Sequence, residues 1–478
     1  MATKTKTAST TSAGVTTLLI LGASGDLTGR LLLPGLGRLL ASGRANGLKL
    51  EGAGADDWSD DKWRKRVAKS FADGTDSPGV RAQKTLDKVS SDSHYHRIDV
   101  TKKGELAELL QSLDGPVAIY FALPPAISQK ACEVLTADEL PAGTRLVLEK
   151  PFGSNEKSAR KLNDTLGSLV DEDHIHRVDH FLGKGTVLNI LGLRFSNRLF
   201  EPVWNSSHIA KVEIFYDEDL TLEGRAGYYD KAGALRDMIQ SHLLEVMAIL
   251  AMDAPATLDE RDLRDRISSV LRAATVEPDY ATSTRRARYT AGKIGRRRVP
   301  DYVDEPGVDP DRDTETLAEI EVSINNWRWA GVPFILRSGK SVRQTKKEAI
   351  ITFRPVPHLP TGFTGQDEPT RLRIGFGPDS LQLEIDVNGP GDVFSLDRVA
   401  MQTRLNDTDL LPYGEVLEGV ITGDPLLSVR GDTAEVCWRI VEPVLRAWSR
   451  NTVPLQEYPA GSTGPADWQT SRIDNDLG

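Results

Sequence analysis

Residues 177 to 185, RVDHFLGKG, bring together side chains that can exchange protons or bind anions. Asp179 and His180 are adjacent, and Lys184 follows between Gly183 and Gly185. A histidine can transfer a proton near neutral pH, and a lysine ammonium is a point charge suited to phosphate. The same residue types also form ordinary solvated turns. The stretch alone is therefore consistent with either a reactive site or a polar loop.

A second stretch that could form a binding site is GASGDLTGR, which follows the apolar run VTTLLIL. Glycines let a backbone approach a pyrophosphate, and the amides at a helix N-terminus stabilise its negative charge. However, Gly22, Gly25 and Gly29 do not have the common G-x-G-x-x-G spacing. Taken alone, this loop fits a nucleotide site and a tight turn equally well.

The elements around these residues alternate between strand and helix patterns. Short β-branched and leucine-rich runs at 15–22, 48–54, 115–125 and 146–153 predict buried parallel strands. Helical stretches separate them, the first from about Leu27 to Leu40. Such alternation predicts a doubly wound, Rossmann-like α/β domain at 15–182. A Thr/Ser-rich segment, 1–14, precedes it and is predicted to be a disordered tail.

The pattern changes in the second part of the chain, 183–478. Alternating stretches such as KVEIFYDEDL, LAEIEVSI and LQLEIDV predict half-buried strands of a large, mainly antiparallel sheet. A helix at 233–253 should cover one face of this sheet. We therefore expect an α+β domain at 183–478. The basic run at 284–298 and the acidic stretch after it predict a solvated surface loop.

Composition excludes several classes of protein. The net charge of −10 disfavours a general nucleic-acid or anionic-membrane binder, and no run of about 18 apolar residues suggests a membrane span. The two cysteines, Cys132 and Cys437, lack metal-ligand spacing and cannot build a disulfide framework. We expect a cytoplasmic enzyme with no bound metal.

Five motifs occur in an order that resembles the glucose-6-phosphate dehydrogenase family: GASGDLTGRLLLP, LVLEKPFG, RVDHFLGKG, EGRAGYYDKAGALRDMIQSHLL and NNWRWAGVPFILRSGK. The likeness continues through PYGEVLEGVITGDPLL to YPAGSTGPADW. The resemblance implies oxidation of glucose 6-phosphate at C1 to the lactone, with hydride transfer to NAD or NADP, in the oxidative pentose phosphate pathway. It also implies that 15–182 is the dinucleotide-binding domain, that 183–478 serves substrate binding and oligomerisation, and that the protein is a homodimer or homotetramer.

The resemblance assigns roles to individual residues. His242 matches the general base, and Asp179 matches the carboxylate that orients it; without the resemblance, the two would read as a structural histidine and a loop cap. The positions that match sugar-phosphate ligands are Lys150, His180, Lys184, Glu218, Asp237 and Lys340. The positions assigned to the dinucleotide are Gly22, Ala23, Ser24, Gly25, Asp26, Leu27, Asp56, Pro124 and again Lys150. The pattern also implies a cis peptide between Lys150 and Pro151.

Three positions depart from the family pattern. Phe181 replaces a usual tyrosine, Thr345 replaces a usual lysine or arginine, and Ser241 replaces a common asparagine. Lys346 could compensate for Thr345 if its side chain points to the same side. These differences leave open a hexose dehydrogenase with a relaxed requirement for phosphate. A catalytically silent dinucleotide-binding sensor is a further alternative, although the retained Asp179, His242 and Lys150 argue against it.

The stretch LEGAGADDWSDDKW bears on the choice of cofactor. Family members that use NADP carry an arginine that aligns with Ala55, and Asp56 and Asp57 follow here instead. An acidic side chain at the end of the second strand accepts hydrogen bonds from a free ribose hydroxyl and repels a 2′-phosphate. We therefore predict a preference for NAD. The alternative is that both aspartates cap the helix beginning near Ser59.

Overall fold

The computed structural model describes residues 14–365, 367–406 and 409–468. The predicted disordered tail lies outside this range except for Gly14. Contacts divide the chain into two compact units, each built from separate segments. The first unit comprises the described residues of Met1–Lys184, Pro255–Asp265 and Thr408–Glu435, and the second comprises those of Gly185–Ala254, Arg266–Asp407 and Val436–Gly478.

Strands and helices are numbered in chain order. The strands are β1 (Thr17–Leu21), β2 (Lys49–Gly54), β3 (His94–Arg97), β4 (Val117–Phe121), β5 (Arg145–Glu149), β6 (Ile175–Val178), β7 (Ile209–Asp217), β8 (Ala274–Val276), β9 (Thr284–Thr290), β10 (Gly292–Ile294), β11 (Arg297–Val299), β12 (Leu317–Ile324), β13 (Pro333–Gly339), β14 (Lys346–Phe353), β15 (Thr364–Gly365), β16 (Arg371–Phe376), β17 (Asp379–Asn388), β18 (Ser395–Arg404), β19 (Ser428–Val429) and β20 (Leu455–Pro459). The α-helices are α1 (Leu33–Ala41), α2 (Asp60–Gly74), α3 (Val80–Ser91), α4 (Glu105–Ser112), α5 (Pro125–Glu133), α6 (Glu156–Gly167), α7 (Gly185–Phe195), α8 (Ala226–Ala234), α9 (Leu244–Ala251), α10 (Glu260–Ala273), α11 (Tyr280–Ser283), α12 (Pro412–Thr422) and α13 (Gly431–Ser449). π-Helical segments at Thr28–Leu32 and Leu235–Leu243 lead directly into α1 and α9.

The first unit contains a seven-stranded sheet in the order β19-β6-β5-β4-β1-β2-β3. Strands β1 to β6 are parallel, and β19 runs antiparallel to β6. All five residues of β1 are buried, because helices cover both faces of a parallel sheet. The strand order reverses at β1: β2 and β3 lie on one side of it, and β4, β5 and β6 lie on the other. Doubly wound dinucleotide-binding folds have the same reversal. This confirms the predicted fold class of the first unit.

The core of the first unit forms where leucines of β1 meet the apolar faces of α1 and α12. Leu18 and Ile20 belong to the same buried cluster as Leu36, Leu39 and Leu417. Helix α12 comes from the far end of the sequence but packs on α1 within this unit. A single boundary along the chain does not describe this packing, because the segment that contains α12 follows most of the second unit.

The second unit contains an eleven-stranded sheet, whose main path is β15-β18-β17-β16-β14-β7-β13-β12-β9-β20 with β8 paired to β12. Three pairs are parallel, namely β7 with β13, β9 with β20 and β15 with β18. The remaining pairs are antiparallel, which confirms the predicted large and mainly antiparallel sheet. The π segment Leu235–Leu243 packs on β12 and β13, so a helix covers this sheet as predicted.

The basic run at 284–298 is not the surface loop that its charge predicted. Its first part is β9, which lies between β12 and β20 with Ala287 and Tyr289 buried. Arg285 pairs with Glu319 of β12 at 2.8 Å, and Arg286 donates to the Val453 carbonyl at 3.0 Å. The alternation in TRRARYT therefore matters more than its charge, because a strand can bury every second side chain and pair the others. The rest of the run forms the β10–β11 hairpin.

Among the described residues, no helix combines the length and the apolar content needed to cross a bilayer.

Candidate active site

In the first unit, the predicted site residues all follow the carboxyl ends of parallel strands. Gly22–Leu27 follows β1, Asp56 follows β2, Pro124 follows β4, and Lys150 follows β5, while the stretch from Asp179 to Lys184 follows β6. Parallel strands end at the same edge of a sheet, and ligands bind there in doubly wound folds. The topology thus explains why segments so distant in sequence can belong to one site.

The loop after β1 has the shape of a backbone cradle. Gly22 has a φ of 83°, and a Cβ at this position would lie 2.3 Å from the Ala122 carbonyl oxygen. Thr28 Oγ1 donates to the Gly22 carbonyl at 3.0 Å, and Arg66 Nη1 donates to the Ser24 carbonyl at 3.0 Å. Arg66 Nη2 also donates to the Gly25 carbonyl. Only glycine fits at position 22, and this fixed loop before a helix fits a pyrophosphate.

The end of β2 lies beside this loop. The Ser24 hydroxyl donates to the Asp56 carboxylate, and the Tyr95 hydroxyl donates to the Asp56 carbonyl at 3.1 Å. Asp57 instead pairs with Arg97 at 3.2 Å, and both side chains are mostly exposed. Burial and the nearby Asp56 carboxylate raise the pKa of Tyr95, so its hydroxyl remains a donor. The position of Asp56 is the one expected for a side chain that contacts an adenosine ribose.

The helix-cap alternative for the two aspartates is wrong. Helix α2 has Ser59 as its N-cap, and the Ser59 side chain accepts a hydrogen bond from the Lys62 amide at 3.3 Å. Asp60 and Asp61 occupy the first turn, where carboxylates interact favourably with the helix dipole. Asp56 and Asp57 therefore do not cap α2. Asp56 accepts from Ser24, and Asp57 pairs with Arg97.

Lys150 begins the loop after β5, and its peptide bond to Pro151 is cis as predicted. The preceding residue, Glu149, accepts a hydrogen bond from the Tyr120 hydroxyl at 2.5 Å and another from Tyr413. Burial raises the pKa of Glu149 to about 7; the two tyrosine hydrogen bonds and Lys150 lower it, and Asp179 adds to the increase. Glu149 and Tyr413 were not among the predicted site residues.

The loop after β6 holds the residues that first suggested chemistry. Asp179 is fully buried, and its Oδ1 accepts a hydrogen bond from the Phe181 amide at 2.9 Å. The His180 ring stacks on Tyr413 with 5.6 Å between centroids and an interplanar angle of 11°. Asp179 and His180 therefore make different contacts, although polar atoms of the two side chains lie within 4.8 Å of one another.

Phe181, which stands where a tyrosine is usual, contacts both His180 and Lys184. Its buried ring meets the His180 ring edge-on at 5.1 Å, and Lys184 Nζ lies 4.1 Å from the centre of the same ring. A cation over an aromatic face is held electrostatically. One aromatic ring thus touches both residues that resemble phosphate ligands.

In the second unit, Asp237 and His242 lie on the π-helical segment Leu235–Leu243. Both are buried, and the Tyr228 hydroxyl donates to Asp237 Oδ1 at 3.2 Å. In an α-helix, residues five positions apart point about 140° away from each other. The wider π turn joins residues five apart by hydrogen bonds and reduces this angle, and such turns are frequent at functional sites. The predicted helix therefore exists, but its local geometry was not foreseen.

Glu218, at the end of β7, forms a second group of polar residues in this unit. Its carboxylate lies 3.2 Å from Lys340 Nζ and 3.0 Å from Lys347 Nζ. Burial alone would raise the pKa of Glu218, but Lys340 and Lys347 lower it below its ordinary value. Lys340 Nζ also lies 5.1 Å from the centre of the Tyr229 ring. Two of the predicted sugar ligands, Glu218 and Lys340, are thus direct neighbours.

Lys346 does not compensate for Thr345 on this side of the sheet. Its Nζ lies 3.5 Å from the centre of the Phe215 ring, whereas Lys347 is the lysine beside Glu218. Neighbouring residues of a strand point to opposite faces, so the two lysines cannot share one environment. Lys347 was missed, and the signal that could have identified it is its distance of two positions from Thr345.

Together, the Rossmann-type sheet, the glycine cradle and Asp56 define a dinucleotide-binding protein. Residues 19–189 match the model of the glucose-6-phosphate dehydrogenase NAD binding domain, and residues 191–475 match that of the C-terminal domain of the same family. The chain therefore belongs to the glucose-6-phosphate dehydrogenase family.

Similar proteins cover almost the full length of this chain. A glucose-6-phosphate 1-dehydrogenase of Treponema pallidum is 39% identical over an alignment that covers 94% of this chain and 92% of that protein. One of Mycolicibacterium smegmatis is 37% identical over 95% of this chain and 94% of its own.

Two solved structures are also similar. A glucose-6-phosphate dehydrogenase in complex with its substrate glucose-6-phosphate has a TM-score of 0.86 and 28% identity, with coverage of 97% of this chain and 98% of that one. The enzyme from Mycobacterium avium has a TM-score of 0.83 and 32% identity, with 96% coverage of both chains.

Proposed function

We propose that this protein oxidises C1 of glucose 6-phosphate to the δ-lactone and transfers the hydride to a nicotinamide dinucleotide. The observation that carries the proposal is the loop after β6. It carries a buried carboxylate, Asp179, directly before His180, and both His180 and Lys184 contact the Phe181 ring. A dianionic phosphate is recognised well by such charged and imidazole donors.

The proposed reaction needs one proton acceptor in the protein. His242 accepts the proton of the C1 hydroxyl while the hydride leaves C1, so that a carbonyl forms and the lactone results. Asp179 orients His242 and stabilises its charged form, as a third group does for a catalytic base. Lys150, Glu218, Asp237 and Lys340 hold the sugar. The requirement for phosphate distinguishes this function from that of a general hexose dehydrogenase.

The dinucleotide is held by the edge of the first unit and supplies the hydride acceptor. We assign its pyrophosphate to Gly22–Leu27, its adenosine ribose to Asp56, and its further contacts to Pro124 and Lys150. The close approach of the Gly22 backbone to the Ala122 carbonyl, which a Cβ would prevent, gives the loop the shape on which this assignment rests. The two cysteines are free and buried, which fits the proposed cytoplasmic location.

Replacement of His242 by Asn tests the proposed function. We expect the variant to lower kcat by about 10² to 10⁴, because general-base catalysis acts in the transition state, with the dissociation constant of the sugar phosphate almost unchanged. Formation of reduced nicotinamide is followed by absorbance, and sugar binding by calorimetry. A near-normal kcat would remove His242 from its role.

The same assay separates the alternatives when it is run on the unaltered protein. Equal kcat/KM for glucose and glucose 6-phosphate would support the relaxed hexose dehydrogenase, and cofactor binding without any turnover would support the sensor.

The pair Lys347 and Lys346 gives a matched test of sugar-phosphate binding. We expect Lys347→Met to raise KM for glucose 6-phosphate about tenfold, because a charged hydrogen-bonding group beside Glu218 is lost. Lys346→Met removes the same charge from the opposite face of β14 and should change KM less than about twofold. Steady-state kinetics with both variants measure the difference. Equal effects would show that only the overall charge matters.

We propose that NAD is preferred over NADP. Asp56 stands beside the loop through its hydrogen bond with Ser24, and a 2′-phosphate there would meet its carboxylate. The nearby cations already have partners, since Arg97 pairs with Asp57 and Arg66 binds loop carbonyls.

Kinetics with both cofactors at saturating sugar phosphate check this preference. We expect a higher kcat/KM with NAD, and Asp56→Arg should shift the ratio toward NADP by about 10- to 100-fold through one charge-assisted hydrogen bond. Asp57→Ala is the matched control that releases Arg97, and it should give a smaller shift in the same direction. A tenfold preference of the unaltered protein for NADP would contradict the assignment of Asp56.

We also propose that the protein is a homodimer or homotetramer that associates through its large sheet. Apolar side chains on and between β17 and β18 are exposed, with 53% for Met401, 58% for Phe394 and 64% for Val393. Exposed apolar groups on one part of a sheet favour association. We expect Phe394→Lys to lower the mass measured by light scattering at micromolar concentration, whereas Val80→Lys, at an exposed residue of the first unit, should not. A monomeric unaltered protein would overturn this proposal.

A further inference from the structure

We propose that Glu149 is a positioning residue, which holds His180 and Lys150 in place for the sugar phosphate by means of hydrogen bonds with Tyr120 and Tyr413. This role rests on the proposed function and adds to it a residue that neither binds the substrate nor transfers its proton.

The first argument is the geometry around the Glu149 carboxylate. It lies at the end of β5 and accepts a hydrogen bond from Tyr120 of the neighbouring strand β4 at 2.5 Å. A second hydrogen bond comes from Tyr413, at the start of α12. Tyr120 is fully buried and Tyr413 is 7% exposed. One carboxylate thus connects two strands and a helix that are far apart in sequence.

The second argument is the path from Glu149 to the proposed phosphate ligand. The Tyr413 ring that binds Glu149 through its hydroxyl is the ring on which His180 stacks, nearly parallel at 11°. His180 in turn contacts Phe181, over which Lys184 lies. A displacement of Tyr413 therefore changes the surface that supports His180. Glu149 is linked to Lys150 more directly, because Lys150 is the next residue in the chain.

The third argument concerns the cost of this arrangement. A carboxylate removed from water is expensive, and an apolar side chain could fill the same space at lower cost. An ionised carboxylate accepts hydrogen bonds only, so both tyrosines can donate to it at once. A protonated carboxyl turns one oxygen into a donor and satisfies the two tyrosines less well. The ionised form is therefore the form that fixes Tyr413.

The charged and titratable groups that face Glu149 come from every neighbouring element. They are Tyr120 from β4, Tyr413 from α12, Lys150 from its own loop, and Asp179 from the loop after β6. Burial, the largest effect, brings the pKa of Glu149 to about 7, and the repulsion by Asp179 acts in the same direction. Activity should therefore require loss of a proton from Glu149 in addition to deprotonation of the base. It should decrease as the pH falls through about 7.

The pH dependence of kcat/KM for glucose 6-phosphate distinguishes this role from a purely structural one. With two groups that must both be deprotonated, the logarithm of kcat/KM should approach a slope of two on the acid side. Glu149→Gln keeps the size of the side chain but cannot titrate, so we expect its slope to be one. At neutral pH, its KM should be about tenfold higher, because one of the two hydrogen bonds is lost.

The tyrosines provide independent variants if Glu149→Gln fails to fold. Tyr413→Phe keeps the ring that supports His180 but removes a hydrogen bond that favours the ionised carboxylate. We expect it to move the acid-side decrease to higher pH by about 0.5–1 unit, and Tyr120→Phe to act in the same direction. Glu305→Gln is the matched control, because it alters another carboxylate that accepts from a tyrosine, Tyr289, at 3.1 Å in the second unit. Its profile should equal that of the unaltered protein.

Two results would overturn the proposal, and they are distinguishable. If the unaltered protein does not oxidise glucose 6-phosphate, the proposed function fails and this role fails with it. If it does so but the profiles of Glu149→Gln, or of both tyrosine variants, run parallel to its own with unchanged slope and position, only the role of Glu149 is wrong. A lower melting temperature without a change in the profile belongs to this second result, because it is the mark of a structural residue.

Discussion

The first unit depends on one constraint, the parallel pairing of β1 with both β2 and β4. In this register Leu21 lies opposite Ala53 on one side and Phe121 on the other, so all three strands end at the same level. The chain after β1 must then pass close to the chain after β4. Gly22 is the residue that permits this approach. The glycine cradle is thus a consequence of strand register as much as of ligand binding, and the same register brings Asp56 next to Ser24.

The second unit has a comparable constraint at the start of its π-helical segment. Ala234 donates its amide to the Glu315 carbonyl at 3.2 Å, and the Leu235 amide donates to Glu315 Oε1 at 3.0 Å. Gly233 has a φ of 69°, and a Cβ there would lie 2.3 Å from the same carboxylate oxygen. Glu315 therefore fixes the first turn of the segment that carries Asp237 and His242. Burial raises the pKa of Glu315, although its hydrogen bond with Leu235 opposes this change.

The sequence alone was enough to predict the elements that have a strong apolar pattern. It was not enough to predict the elements whose stability comes from tertiary pairing. Strands β1, β2, β4 and β5 are apolar runs and were predicted close to their observed positions. Strands β3 and β6 were missed, since HYHR and IHRV contain polar residues that only their pairing partners make tolerable. In β6, Arg177 is buried because Glu172 pairs with it at 2.7 Å. Glu172 in turn accepts a hydrogen bond from the Gly431 amide at 2.9 Å, and no local pattern indicates so distant a partner.

The candidate site shows the same division. Its motifs could be read from the sequence because several of them occur in an order that resembles one family. Tyr413 and Glu149 could not, because the contact between them depends on α12 returning to the first unit. Lys346 and Lys347 of β14 lie between these two cases, because the sequence pointed to a cation near Thr345 but not to the correct lysine. Alignment places Thr345 where a cation is usual, but a strand presents alternate residues to each face, so Lys347 returns to the face of Glu218 and Lys346 does not. A charged group that is absent from its aligned position can thus be supplied two residues later without any change in the fold. The face of the strand, more than the residue number, decides which cation meets Glu218.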